Sequence, residues 1–280
     1  MTDFDYYNVN KKELNAHAHE LMNVRLTKDE KAEALKTILS CIDLTSLEGT
    51  DTNAKILSIC DQAHSFAQKE KGISNVASVC FYPVFAKSAS QQLTGTGINV
   101  AVVAGGFPSG QMTQALKEAE VRYAVDQGAD EIDVVISRGL LLSGKCREFY
   151  EQIAGMRKAA NGKKMKVILE TGELDTVYRI RKACELALNG GADFLKTSTG
   201  KTKPGATPEA VIIMLNTIQE YYNKTGKMIG IKPSGGISEP DDAIGYYLLV
   251  KGILGEKWLT KETFRIGASR LALKIANTLN

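Results

Sequence analysis

Histidine is almost missing from this chain. Its three residues are His17 and His19 in a polar amino-terminal segment and His64 in a helix-like stretch. A histidine-built divalent-metal site therefore has no ligand set to draw on, and His17-Ala-His19 reads as a solvated helix face. The five cysteines, Cys41, Cys60, Cys80, Cys146 and Cys184, are odd in number, scattered and without a CxxC pair. That excludes a disulfide scaffold and fits free thiols in a reducing compartment, hence a cytoplasmic protein. No apolar run approaches the roughly 20 residues of a membrane span. The start, Met1-Thr2-Asp3-Phe4-Asp5, is acidic and lacks the basic region that opens a signal peptide. The formal charge of +3 is small, and the lysines are spread along the chain rather than bunched with aromatics, so nothing marks a nucleic-acid partner.

What is present is an ordinary globular composition: 280 residues, 44% hydrophobic and 24% charged, enough for one large α/β barrel or two small domains. Residues 1–35 are polar with helical periodicity and read as a helical lead-in covering the barrel bottom. Beyond them, short apolar, β-branched runs alternate with amphipathic stretches. The runs are Ser40–Asp43, Val76–Phe81, Asn99–Val103, Glu131–Ile136, Lys166–Glu170, Phe194–Thr197, Ile229–Lys232 and Arg265–Ile266. Such alternation implies a parallel sheet covered by helices. Eight units in a chain of this size predict a (β/α)₈ TIM barrel over residues 36–280, with an amino-terminal helical extension over 1–35. Gln127-Gly128-Ala129-Asp130 and Gly190-Gly191-Ala192-Asp193 precede two of the runs and echo one another, each a glycine ending a helix before a turn into the sheet. A doubly wound nucleotide-binding sheet is disfavoured because no GxGxxG follows the first run.

Two lysines end apolar runs where loops begin, Lys196 in Asp193-Phe194-Leu195-Lys196-Thr197 and Lys232 in Ile229-Gly230-Ile231-Lys232-Pro233. Burial disfavours an ammonium, and two cations at one mouth repel, so one of them is driven toward the neutral amine, a nucleophile for carbonyl carbon. Charge alone leaves open which one. Carboxyl ends of barrel strands build active sites, and the other polar residues at such ends are Asp43, Thr45, Cys80, Asp133 and Glu170. By alternation Glu131, Asp133 and Val135 share one strand face. A buried carboxylate there is either a structural ion partner or a proton shuttle. Glu170 takes only a supporting role. The Gly-rich turns Ser234-Gly235-Gly236 and Gly267-Ala268-Ser269 follow the seventh and eighth runs, the usual barrel phosphate site, and Gly200-Lys201 adds an arm and a counter-charge. A small phosphorylated carbonyl compound is the implied substrate.

These residues resemble the deoxyribose-phosphate aldolases, a class I aldolase family. The resemblance runs from Leu39 to Ser269 and rests on IDLTSL (42–47), SVCFYP (78–83), AGGFPSG (104–110), DEIDVVI (130–136), LETGEL (169–174), ADFLKTSTGK (192–201), GIKPSGGI (230–237) and FRIGAS (264–269). VVISRGLLLSGK and LVKGILGEKW are similar to the longer eukaryotic form. The resemblance implies reversible cleavage of 2-deoxy-D-ribose 5-phosphate to acetaldehyde and D-glyceraldehyde 3-phosphate, in deoxyribonucleotide catabolism, without metal or organic cofactor. It assigns Lys196 as the Schiff-base nucleophile, Lys232 as the neighbour that lowers its pKa, and Asp133 as the proton relay. Asp43, Thr45, Cys80 and Thr199 are implied to contact substrate, and Gly200, Lys201, Gly235, Gly236 and Ser269 the phosphate. A homodimer is among the assemblies it implies. Three positions depart from the pattern: Ser234 replaces a common alanine, Arg270 replaces a second small hydroxyl residue, and the last tyrosine is Tyr247, whereas bacterial relatives end in one. Other readings are a different Schiff-base barrel, such as a transaldolase or dehydratase, and a non-catalytic barrel that binds phosphorylated metabolites. A metal-dependent aldolase is disfavoured by the shortage of histidine.

Overall fold

The computed structural model describes residues 1–69 and 72–279. Among them are eight strands, β1 Ile42–Thr45, β2 Ser78–Phe81, β3 Asn99–Ala104, β4 Glu131–Val135, β5 Lys164–Ile168, β6 Phe194–Lys196, β7 Gly230–Lys232 and β8 Ile266–Ala268. All pair in parallel, in the order β7-β6-β5-β4-β3-β2-β1-β8. Thr263 and Pro233 carbonyls accept from Ile231 and Gly267 N–H at 2.9 and 3.0 Å, and these bonds draw β8 onto β7. The result is the TIM barrel that the alternating pattern implied.

The helices are α1 Lys11–Met22, α2 Lys28–Ser40, α3 Asn53–Lys69, α4 Ala86–Gln92, α5 Gln114–Asp126 and α6 Arg138–Leu142, followed by α7 Cys146–Ala159, α8 Thr171–Leu174, α9 Val177–Asn189, α10 Pro208–Thr225, α11 Pro240–Leu254 and α12 Leu271–Leu279. Sequence dictates where several begin. Asn10 with Glu13 and Thr27 with Glu30 form reciprocal capping boxes for α1 and α2, and Thr207 caps α10 ahead of Pro208. The lead-in does not lie across the bottom of the barrel: α1 packs on α10 and α11, and α2 on α11 and α12. Helix α2 also crosses position 35 without a break and runs directly into β1.

Residues facing outward from the strands, such as Val79, Val102, Ile132, Val134, Val167 and Leu195, are buried against the helices and form the main core. Burial of both faces is why the strands read as near-continuous apolar runs. The echoed Gly-Ala-Asp segments do the same structural job twice. Gly128 and Gly191 turn at φ 91° and 94°, letting Ala129 and Ala192 N–H close on Ala124 and Ala187 carbonyls at 3.1 and 3.0 Å. Asp130 and Asp193 then accept from Val100 and Met165 N–H at 3.0 and 2.9 Å on the neighbouring strands. Each strand is shifted by one or two residues from the sequence expectation at one or both ends. Ser40 ends α2 rather than starting β1, β5 begins at Lys164 and stops before Glu170, and β8 begins after Arg265. No helix among the described residues is long and apolar enough to cross a membrane.

Candidate active site

A barrel interior is usually filled by branched apolar side chains. Here its middle is ionic. Register places Asp133 of β4 beside Lys166 of β5, and Lys196 of β6 beside Lys232 of β7. All four side chains point inward and are buried. Asp133 Oδ2 accepts from Lys196 Nζ at 2.7 Å and from Lys232 Nζ at 2.6 Å, while its Oδ1 accepts from Lys166 Nζ at 2.8 Å. Lys232 also meets Asp43 Oδ2 at 2.5 Å. Lys166 continues to Glu131 Oε2 at 2.5 Å, and Arg265 joins Glu131 to Asp43 at 2.7 and 2.5 Å.

Four cationic groups, Lys166, Lys196, Lys232 and Arg265, thus surround three carboxylates, Asp43, Glu131 and Asp133. One cation too many is buried, and the geometry decides which gives way. Burial drives Lys232 toward the neutral amine, but Asp133 and Asp43 together outweigh it and hold its ammonium above the ordinary lysine range. Burial likewise lowers Lys196; Asp133 is the one carboxylate that opposes it, Lys232 pushes further down, and the net is a lowered pKa. Lys166 follows Lys232: burial disfavours its charge, yet Asp133, Glu131 and Asp43 raise it. Asp133 is pushed up by burial and pulled down harder by Lys166, Lys196 and Lys232, so it stays a carboxylate. Lys196 is therefore the amine that loses its proton first, a choice that charge in the sequence left open.

Lys196 is also the one with a way out. A cavity of about 520 Å³ opens above the strand ends, and Lys196 forms part of its wall together with Thr45, Thr199 and Ser234. Lys232 lies beneath, fully buried. The same cavity collects Gly200, Lys201, Gly235, Gly236 and Ser269, which come from the loops after β6, β7 and β8. The loops after β6 and β7 lie against one another: a Cβ at Gly235 would stand 3.1 Å from Gly205 Cα, and the residue itself sits at φ 85°. Only glycine fits there without strain. Arg270 is exposed at the cavity rim, Lys274 pairs with Glu239, and Lys201 meets Glu48 at 3.1 Å.

Two expected contacts are placed differently. Cys80 does not form part of the cavity wall but is buried below it, Sγ 3.9 Å from Asp133 Oδ2, where burial pushes the thiol pKa up. Asp43 is likewise beneath the floor, bound to Lys232 and Arg265 rather than open to a ligand. Thr45 reaches the wall with its hydroxyl donating to the Asp43 carbonyl at 2.8 Å. Beside Cys80, Leu47, Ala101 and Val103 make a small apolar cluster backed by Tyr82 and Phe107.

Sequence reasoning passes over Lys166, Glu131 as an ion partner, and Arg265. Lys166 and Arg265 read only as the first residues of their strands, although a charge inside an apolar run demands a buried partner. Two features elsewhere do not compete for this role. Lys117 is buried with its pKa lowered to about 8 by burial, but it donates to the Val135 carbonyl and Gln152 Oε1, both at 3.1 Å, away from the cavity. A recess of about 630 Å³ between α5, α6 and α7 is lined by Glu118, Glu148 and Glu151, which repel a phosphorylated ligand.

The sequence model of the DeoC/LacD family aldolases matches residues 37–243. Curated relatives include human deoxyribose-phosphate aldolase, 41% identical over 266 residues that span 91% of this chain and 83% of the human one. The bovine deoxyribose-phosphate aldolase is 40% identical over 279 residues, 95% of this chain and 87% of its own. Among solved structures, a putative deoxyribose-phosphate aldolase from Coccidioides immitis superposes with TM-score 0.75 at 27% identity, covering 96% of this chain and 98% of that one. A tetrameric deoxyribose phosphate aldolase from Aeropyrum pernix shares the fold, with TM-score 0.69 at 24% identity over 90% of this chain and 98% of that one.

Proposed function

Because the chain belongs to the DeoC/LacD aldolase family, we propose that it is a class I aldolase that reversibly cleaves 2-deoxy-D-ribose 5-phosphate to acetaldehyde and D-glyceraldehyde 3-phosphate through a Schiff base on Lys196. The observation that carries this reading is the pair of lysines on one Asp133 oxygen, with the lower-pKa member facing the cavity.

The chemistry follows from that arrangement. The neutral Lys196 amine adds to the aldehyde carbon of the open-chain sugar, and the carbinolamine loses water to give an iminium ion. The C3 hydroxyl then gives up its proton, the C2–C3 bond breaks, and its electron pair flows into the iminium as an enamine while glyceraldehyde 3-phosphate leaves. Protonation of the enamine at carbon and hydrolysis release acetaldehyde and return the amine. Asp133, already bonded to the nucleophile, relays protons through water at the dehydration and cleavage steps. Lys232 keeps its proton and holds Lys196 in the neutral form. Leu47, an apolar member of the cavity wall, suits a two-carbon donor without hydroxyl groups. Gly200, Lys201, Gly235, Gly236 and Ser269 take the phosphate, with Thr45 and Thr199 near the sugar hydroxyls.

In the same reading residues 1–35 are an extension on a single barrel, the protein acts in the cytoplasm in deoxyribonucleotide catabolism, and it forms a homodimer, which light scattering after size exclusion measures. Activity is tested by feeding purified protein 2-deoxy-D-ribose 5-phosphate and following acetaldehyde with alcohol dehydrogenase and NADH. Turnover abolished by Lys196→Ala supports the proposal; a Lys196→Ala variant that keeps turning over sinks it.

A further inference from the structure

The carboxylate of Glu170 is used by none of these steps, yet the fold goes out of its way to hold it. Glu170 follows β5, is completely buried, and sits at φ 53°, ψ 58°, a left-handed backbone conformation that a residue with a Cβ rarely adopts. Among the described residues no cation pairs with it. Its contacts all come from one residue: Thr199 Oγ1 donates to Oε2 at 2.5 Å, and Thr199 N–H is shared between Oε1 and Oε2 at 3.3 and 3.4 Å. A carboxylate is the side chain suited to this, because both contacts are donors and it only accepts. An amide in its place would satisfy one and turn a donor against the other.

The consequence lies on the cavity side. The Thr199 hydroxyl has one proton, and Glu170 takes it. Of its acceptor capacity, one part receives Lys201 N–H at 3.1 Å. What remains toward the cavity, where Thr199 is part of the wall, is a single lone pair. An unassisted threonine rotates its hydroxyl to suit either partner; this one accepts only. Phosphate and carbonyl oxygens, themselves acceptors, find no bond there, whereas a ligand hydroxyl does. Position narrows it further, since Thr199 stands between Lys196, which takes the carbonyl carbon, and the Gly200-Lys201 arm, which takes the phosphate.

We infer that Glu170 is a specificity-determining positioning residue: by holding the Thr199 proton it makes the site select acceptor aldehydes bearing a hydroxyl between the carbonyl carbon and the phosphate. The inference rests on the proposed aldolase reading.

The test runs the reaction in the synthetic direction with acetaldehyde as donor and two acceptors. One is D-glyceraldehyde 3-phosphate; the other is 3-oxopropyl phosphate, the same chain without the hydroxyl. The wild-type protein is expected to favour the hydroxylated acceptor in kcat/KM by about tenfold or more, the worth of one hydrogen bond. Glu170→Gln should bring the ratio to within about twofold of unity, through a KM that rises chiefly for the hydroxylated acceptor. Thr199→Val, which removes the hydroxyl at constant shape, should do the same, and the double variant no more. A merely structural Glu170 would lower both acceptors alike, so a Glu170→Gln variant that keeps the wild-type ratio overturns the inference. Should Glu170→Gln not fold, an unchanged ratio in Thr199→Val overturns it equally. Wild-type protein joining acetaldehyde to neither acceptor is a different result, because it removes the aldolase reading itself and this inference with it.

Discussion

Lys196 and Lys232 stand in register on adjacent strands and aim both amines at a single oxygen, Asp133 Oδ2, at 2.7 and 2.6 Å. The difference between them lies in what else each touches. Lys232 has a second carboxylate, Asp43 at 2.5 Å, and no access to the cavity; Lys196 has the cavity and no second carboxylate. One is built to keep a proton and the other to lose it.

The Asp133→Asn substitution removes the charge on which three lysines converge. Turnover should fall by roughly 10²–10⁴, the usual worth of a positioned proton shuttle. The fold should also lose about 3–5 kcal/mol, because breaking a buried ion cluster leaves uncompensated charge. Steady-state kinetics and urea denaturation of the same sample read both. An Asp133→Asn variant within tenfold of wild-type turnover would remove Asp133 from the chemistry.

The lowered pKa of Lys196 has a sign in the rate profile. Below it the amine is an ammonium and cannot attack, so kcat/KM should fall about tenfold per pH unit on the acid limb. Burial is the first cause of that lowering, and Lys232 adds to it. Lys232→Leu should therefore move the limb to higher pH by roughly 1–3 pH units, besides lowering the rate. A limb that stays in place would mean that Lys232 does not tune Lys196.

Glu131 is legible in acid stability. Burial raises its pKa, but Lys166 and Arg265 prevail and hold it at about 2, against an ordinary value of about 4.3. A carboxylate lowered in the folded state contributes stability that is present above the unfolded pKa and lost as pH falls through the folded one. The window is thus about pH 4 down to 2, and the amount is on the order of 3 kcal/mol. Denaturation midpoints across that range should fall more steeply for wild type than for Glu131→Gln. Parallel curves would contradict the pairing.

Gly267 lies over Lys232: a Cβ there would meet Lys232 Cε at 3.1 Å and Ser234 Cβ at 2.8 Å. Gly267→Ala should displace the lysine stem and lower kcat on the order of 10²-fold, as small misplacements at reacting groups do. Gly255→Ala is the control, since Gly255 has φ 85° with nothing within 4 Å of a Cβ. It should cost about 1 kcal/mol of stability and leave turnover alone.

Much of this architecture is readable from the chain because its causes are local. The strands are short apolar runs and the helices begin at Asn10, Thr27 and Thr207 caps, so period and capping suffice for the barrel. Lys196, Lys232 and Asp133 announce themselves as charges in or at the ends of apolar runs. The rest depends on contacts across the barrel. Alternation puts Glu131 and Asp133 on one face, but not opposite Lys166 and Arg265, which arrive from β5 and from just ahead of β8. Cys80 and Asp43 lie below the cavity floor rather than in its wall, because strand-end position fixes a rung and not its depth. Glu170 gains only a supporting role from the sequence, since its left-handed turn back under Thr199 is a tertiary outcome that no local propensity favours.

The most direct measurement is reduction with borohydride in the presence of acetaldehyde, followed by peptide mass mapping of the modified protein. The expected result is one two-carbon adduct, on Lys196, absent from Lys196→Ala. An adduct on Lys232 instead, or folded protein with none, would contradict the assignment of the nucleophile.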